Sequence, residues 1–235
     1  MSFLFRSDAA LLADEMGLGK TVQAAIAIKL ALRSPDVNRV LIVAPSALTL
    51  NWQRELARWA PELSVRRLSG SDDDRVAAYL LPIPVLVASY DQVRIDALDR
   101  IPDGTFDLVV LDEAQRIKNR DSRTAFACRL LPRNRSWALT ATPLENSRRD
   151  LESVFAFLKP GLVSKNTDKE ALFLLIAPHM LRRRKKEVMG ELPPVIAQDV
   201  MLELSPTQRQ AYDDVWTGRR SSMETDPRPI SSVTL

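Results

Sequence analysis

The chain has 235 residues, 46% of them hydrophobic, enough for one large domain or one domain with an appendage. Its apolar runs, Val40–Leu50 and Ala171–Pro178, fall well short of the roughly 20 residues of a membrane span, and the start of the chain lacks a basic-then-apolar signal pattern, so no membrane partner and a cytoplasmic location are expected. One cysteine, Cys128, and one histidine, His179, exclude an internal disulfide and a Cys/His metal cluster, and both are expected to be structural; a net charge of +3 permits a polyanionic partner without demanding one.

Met1–Asp8 is too short to read. The apolar run Ala9–Ala13 leads into Asp14–Thr21, DEMGLGKT. A phosphate-binding loop needs glycines where the backbone turns its N–H groups onto one anion, then a lysine for the outer phosphates and a hydroxyl for magnesium. Gly17, Gly19, Lys20 and Thr21 meet that need, although Asp14 stands where the strict pattern has a glycine. Thr21–Leu32 follows as a helix apolar on most sides, hence buried on most sides. Arg39–Ala44 is a continuous apolar run with β-branched residues, suited to a strand covered on both faces.

Pro45 and Ser46 open a helix in which Leu48, Trp52, Leu56 and Trp59 share one face, so both tryptophans are expected in the core. The alternation continues through strand Ser64–Leu68, helix Asp72–Leu80, strand Pro84–Ser89, helix Asp91–Leu98 and strand Phe106–Leu111. A helix over about Ser122–Leu131, strand Ser136–Thr140 and a helix over about Asp150–Leu158 complete it. Strands alternating with helices predict an α/β fold, a doubly wound parallel sheet with helices on both faces. Beyond residue 161 the pattern predicts helices without strands: roughly Asp168–Met180, then the basic run Arg182–Lys186. Val195–Leu204 reads as extended. Ser205-Pro206-Thr207-Gln208 has the form of a capping box that starts a helix running to about Trp216, and Thr217–Leu235 reads as a linker or disordered end.

Asp112 and Glu113 directly follow the strand Phe106–Leu111, and so are expected at the carboxyl edge of the sheet, where the phosphate loop also leaves its strand. Two carboxylates there suit ATP hydrolysis: the first holds magnesium and the second orients or deprotonates the attacking water. Gln115 reads either as a hydrogen-bonding partner of the nucleotide or as one of the next strand's end. Thr140-Ala141-Thr142-Pro143 offers two hydroxyls that a capped turn would explain equally well. Arg182–Lys186 is the densest cationic cluster, a DNA track or a solvated or packing face.

DEMGLGKT at 14–21, VLIVAPSALTLNWQREL at 40–56, VLVASYDQV at 85–93, VVLDEAQRIKN at 109–119, LTATPLEN at 139–146, LRRRKKEV at 181–188 and LPP at 192–194 follow one another in a telling order. In that order and spacing the chain resembles the Swi/Snf-type ATPases, DNA translocases of helicase superfamily 2, and among them bacterial members, with DEAQ where many relatives have DEAH. The resemblance covers about residues 9–216 and implies a RecA-like first lobe at 1–160 and a helical extension and basic linker at 161–216, to which the composition of 217–235 adds a disordered tail.

It further implies ATP and Mg2+ as cofactors, double-stranded DNA as partner, a nucleoid association if the source is bacterial, and a second RecA-like lobe supplied in cis or in trans. By position, Asp14, Gly17, Leu18, Gly19, Lys20, Thr21 and Gln115 would surround the nucleotide, Thr21 and Asp112 the metal, and Lys20, Asp112 and Glu113 would act in catalysis. Pro45, Ser46, Ser89, Tyr90, Thr140, Ala141, Thr142, Arg182 and Arg183 would contact DNA or couple it to the nucleotide. Nothing before residue 9 resembles the family's adenine-recognising segment. No arginine here lies in the motif that carries the family's arginine finger, so weak activity is expected of the chain alone. The alternatives are a nucleotide- or DNA-binding module that never hydrolyses ATP, and an RNA helicase lobe, which the motif text disfavours.

Overall fold

The structure, a computed structural model, describes residues 1–141, 148–163, 167–188 and 203–225. Thr142, the LPP segment, most of the extended stretch expected at Val195–Leu204 and the last ten residues of the expected tail lie outside the described residues.

Two compact units are present, Met1–Glu191 and Leu192–Leu235. In the first, seven strands form one sheet: β1 (Ala9–Leu12), β2 (Val40–Ala44), β3 (Val65–Arg67), β4 (Val85–Ser89), β5 (Leu108–Leu111), β6 (Arg135–Leu139) and β7 (Met180–Leu181). Their order is β3-β4-β2-β5-β6-β1-β7, and every pairing is parallel. The helices are α1 (Ser2–Arg6), α2 (Lys20–Ala31), α3 (Thr49–Trp59), α4 (Asp72–Leu80), α5 (Tyr90–Asp96), α6 (Arg123–Leu130), α7 (Arg148–Leu158), α8 (Lys169–Ile176) and α9 (Lys185–Val188).

The period-two alternation of the strands divides the interior. Ala10, Leu12, Val40, Ile42, Val87, Val110 and Trp137 point to one face, where Leu4 of α1, Ile28 of α2 and Trp52 and Leu56 of α3 cover them. Leu11, Leu41, Val43, Leu86, Val109 and Leu111 point to the other, beneath Tyr79 of α4, Val93 of α5, Cys128 of α6, Phe155 of α7 and Ile176 of α8. This is the doubly wound arrangement expected of strands that read as continuous apolar runs.

Three local expectations are revised. The helix expected to run to Met180 stops at Ile176, because Pro178 has no N–H to continue the ladder; a short 3-10 turn then delivers Met180–Leu181 to the sheet as β7. The sheet unit therefore includes α8 and β7. Trp59, expected in the core with Trp52, is 38% exposed at the last turn of α3 and lies against Arg58 and Glu55, whereas Trp52 is fully buried. In the second unit, α10 (Pro206–Thr225) begins with the expected reciprocal cap between Ser205 and Gln208 but runs past Trp216 to Thr225. Gly218 costs such a helix only about 1 kcal/mol, which does not end it.

A buried ionic cluster joins α4 to α5. Asp96, with no exposed surface, receives Arg75 on both oxygens (2.7 and 2.8 Å), the Tyr79 hydroxyl at 3.0 Å and Arg100 at 3.0 Å. Asp72 closes it from the surface, 2.8 Å from Arg75 and 2.6 Å from Arg100.

Candidate functional site

Parallel register brings the strand ends onto one edge. Leu12 lies beside Leu139, Leu111 beside both Ala138 and Val43, and Ala44 beside Ser89. The residues that follow these ends therefore line a single rim: Asp14–Lys20 after β1, Thr140 after β6, Asp112 and Glu113 after β5, Pro45 after β2 and Tyr90 after β4.

The loop between β1 and α2 turns on two glycines in the left-handed region, Gly17 at φ 88° and Gly19 at φ 71°. A Cβ on Gly17 would also come within 3.2 Å of the Lys185 side chain. Gly19 caps α2, so Lys20 and Thr21 open the first turn, where unpaired N–H groups and the helix dipole favour an anion. The Lys20 ammonium donates to the carbonyl oxygens of Asp14 at 2.7 Å and Glu15 at 3.3 Å. Burial holds its pKa below the ordinary lysine value, while the charges of Glu113, Asp14 and Asp112 partly offset that shift.

Asp112 is 8% exposed and is held by three hydrogen bonds. The Trp52 indole donates to Oδ2 at 2.8 Å, the Glu113 N–H to Oδ1 at 3.0 Å, and the Tyr90 hydroxyl to the Asp112 carbonyl at 2.7 Å. Burial raises its pKa above the usual carboxylate value, against the Trp52 hydrogen bond and the Lys20 charge. Glu113 has φ 51° and ψ 54°, the only left-handed non-glycine residue among those described. Such backbone strain concentrates where a side chain must be aimed. Gln115 donates to Glu113 Oε2 at 2.6 Å and accepts from the Thr140 hydroxyl at 2.9 Å, so of its two readings the described geometry is the one toward the next strand's end.

An ammonium, a hydroxyl at a helix start and a carboxylate two strands away on the same edge make up a donor set that suits a polyphosphate with a hard divalent cation. Asp14 contributes its carbonyl to Lys20, but its carboxylate is wholly buried and turned to Arg183 and Gln23.

The residues expected to contact DNA divide into two groups. Ser46 is exposed, and Pro45, Ala141 and Arg182 are half-buried. Ser89, Tyr90 and Thr140 are buried, with their hydroxyls engaged by the Gln92 N–H, the Asp112 carbonyl and Gln115 respectively. Arg183 is paired with Asp14. Sequence reading missed that Trp52 reaches Asp112; its spacing in α3 signalled burial, and nothing in the pattern signalled where the indole N–H would go. A groove of about 760 Å³ beside Lys118, Arg120 and Arg149 also carries Asp121, Asp150 and Glu152, so it offers no track of one sign. Among the described residues no helix is long and apolar enough to cross a membrane.

Residues 4–228 match the SNF2-related domain. The chain is 36% identical over 219 residues to an ATP-dependent helicase of Mycoplasma pneumoniae, across 87% of this chain and 21% of that protein. It is 33% identical over 258 residues to the TATA-binding protein-associated factor MOT1 of Saccharomyces cerevisiae, across 92% of this chain and 14% of that one. Among solved structures, the Sulfolobus solfataricus SWI2/SNF2 ATPase core in complex with dsDNA superposes with a TM-score of 0.71 at 28% identity, covering 97% of this chain and 52% of that one. The chain thus spans about half of that solved core and under a quarter of either curated relative.

Proposed function

The chain belongs to the SNF2-related domain family, and on that premise we propose that it is the ATP-binding first lobe of a Swi/Snf-like motor that hydrolyses ATP and moves along double-stranded DNA. The observation that carries the reading is the rim itself: the parallel register through β6 brings the glycine loop that leaves β1 with Lys20 and the Asp112–Glu113 pair that follows β5 to one edge of the sheet. Lys20 holds the β- and γ-phosphates, Thr21 and Asp112 hold magnesium, and Glu113 orients the attacking water and accepts its proton. Magnesium, when bound, neutralises charge on the phosphate oxygens. A second RecA-like lobe, in cis or in trans, completes the site with an arginine worth about 10³–10⁵ in rate in related phosphoryl-transfer enzymes.

Coupling to DNA rests on bonds that reach the acidic pair from residues that follow β2, β4 and β6 in the chain. Trp52 of α3 and Tyr90 of α5 both hold Asp112, and Thr140 holds Glu113 through Gln115. In this reading Ser89, Tyr90 and Thr140 transmit, while Ser46, Ala141 and Arg182 touch phosphates from a surface non-specific in sequence and sensitive to salt.

The test is MgATP binding and steady-state hydrolysis, with linear duplex DNA, duplex RNA or neither at low salt, with the second lobe supplied. Lys20→Ala is expected to weaken binding by at least about tenfold through loss of a charge-assisted hydrogen bond. Equal binding by the variant overturns the assignment of the loop, and stimulation by RNA above that by duplex DNA overturns the assignment of the track. Trp52→Phe keeps the buried ring but leaves Asp112 Oδ2 without its indole donor; half-maximal activation is expected to need about tenfold more Mg2+. A magnesium titration that superposes on wild type removes Trp52 from the site.

A further inference from the structure

Asp14 poses a physical problem. Its carboxylate has no exposed surface, at a loop position where a glycine would have carried no charge. A buried carboxylate persists only if paired and hydrogen-bonded. Arg183, 169 residues away, supplies the pair: its Nε lies 3.1 Å from Oδ1, its Nη2 bonds Oδ2, and its own backbone N–H donates to Oδ1 at 3.1 Å. Gln23 of α2 completes the shell, donating to Oδ2 at 3.2 Å and accepting from Arg183 Nη2 at 2.7 Å.

The same cluster grips the phosphate loop at three places. Asp14 begins the loop, and its carbonyl receives Lys20 at 2.7 Å. Gln23 also donates to the carbonyl of Leu18, between the two left-handed glycines, at 2.8 Å. The strand that delivers Arg183 runs alongside: Ala13 N–H donates to Leu181 at 2.8 Å, Glu15 N–H to the Arg183 carbonyl at 3.0 Å, and Lys185 N–H to the Glu15 carboxylate at 2.7 Å.

We propose that Arg183 is a positioning residue of the nucleotide site: through Asp14 and Gln23 it fixes the loop, and with it Lys20, in the form that receives a nucleoside triphosphate. The proposal rests on the nucleotide-binding reading above and replaces the DNA contact that the family resemblance implied for Arg183, whose guanidinium works inward on the loop. It also makes β7 and the segment after it a mechanical input to the phosphate loop, because displacing Arg183 strips the buried Asp14 carboxylate of the guanidinium that bonds both its oxygens. A lysine cannot replace it, since a single ammonium does not span both carboxylate oxygens and Gln23.

The experiment uses the purified chain with Arg183→Ala, Arg183→Lys, Asp14→Asn, Lys20→Ala and the double variant Asp14→Asn with Arg183→Ala. It reads the Kd of a fluorescent ATP analogue with Mg2+, the Kd of a duplex oligonucleotide, and hydrogen exchange of the amides at residues 15–19. Each Arg183 variant is expected to weaken analogue binding about tenfold or more, to accelerate exchange in the loop, and to leave duplex affinity within about twofold. The double variant is expected to lose no more than the worse single one, because both remove the same interaction. Exchange confined to the loop separates positioning from general unfolding, which would expose β2 and β5 as well. Loss of duplex binding with analogue binding intact overturns the proposal and returns Arg183 to the DNA. If Lys20→Ala weakens analogue binding and neither Arg183 variant does, the positioning role falls while the nucleotide site stands. If the wild-type chain does not bind the analogue, both fall together.

Discussion

Glu113→Gln is expected to bind MgATP within about threefold of wild type and to turn over 10²–10⁴ times more slowly, the range that a positioned general base supplies. The substitution keeps length and shape, and its amide oxygen can still accept from Gln115, which donates to Glu113 Oε2 at 2.6 Å. What it removes is the capacity to take a proton. The backbone argues that this carboxylate is held in place for a purpose, since Glu113 alone among the described non-glycine residues has a left-handed φ, at a cost of about 1–2 kcal/mol. Asp112, one residue earlier, carries no such strain; Trp52 and the Glu113 N–H each donate to one of its oxygens, which orients the carboxylate and leaves a lone pair on each for a cation. The two carboxylates thus differ as a metal ligand and a base should. Glu113→Gly removes both the side chain and the strain. It is expected to lose turnover to the same degree with a thermal midpoint no lower than wild type, since the strain relieved roughly offsets the freedom glycine gains when unfolded. Undiminished turnover by the glutamine variant, with the second lobe and duplex DNA present, would falsify the role of Glu113.

The fold and the outline of the rim were legible because both depend on local pattern. Continuous apolar runs bounded by turn residues marked β2, β4 and β5, and parallel pairing alone then forces Asp14–Thr21 and Asp112–Glu113 to the same edge. What was not legible depends on pairs distant in sequence. Arg183 sits in a run of five cations, and nothing within that run distinguishes the one whose partner lies 169 residues earlier. Trp52 presented an apolar spacing that predicted its burial, while the direction of its one polar atom was set by a strand 60 residues further on. β7 is two residues long and carries no periodicity at all; it is a strand only because Leu11 and Leu12 offer it an edge. Trp59 satisfied the helical spacing but falls at the last turn of α3, where it is 38% exposed.

The largest effect on stability is expected at a residue that no motif touches. Asp96→Ala should lower the free energy of unfolding by about 3–5 kcal/mol, the usual cost of removing one partner from a buried ion pair, and the thermal midpoint by on the order of 10 °C. Arg75, 6% exposed, would be left with its guanidinium in the interior, with the half-exposed Asp72 as its one remaining carboxylate among the described residues. Tyr79 would lose the acceptor of its buried hydroxyl. Asp72→Ala is the contrasting substitution, because that side chain is 57% exposed and solvent replaces it; little change is expected. Acid should reproduce the loss in the unsubstituted protein. Burial alone would raise the Asp96 pKa, but hydrogen bonds from Arg75, Arg100 and Tyr79 outweigh it and hold the carboxyl below its ordinary value. A carboxylate depressed by folding contributes fully above its unfolded pKa of about 3.9 and progressively less as pH falls through the folded value. Urea midpoints measured between pH 7 and pH 3 should therefore converge for wild type and Asp96→Ala only at the acid end. Curves that stay parallel across that range would show that the cluster is held by packing and not by charge.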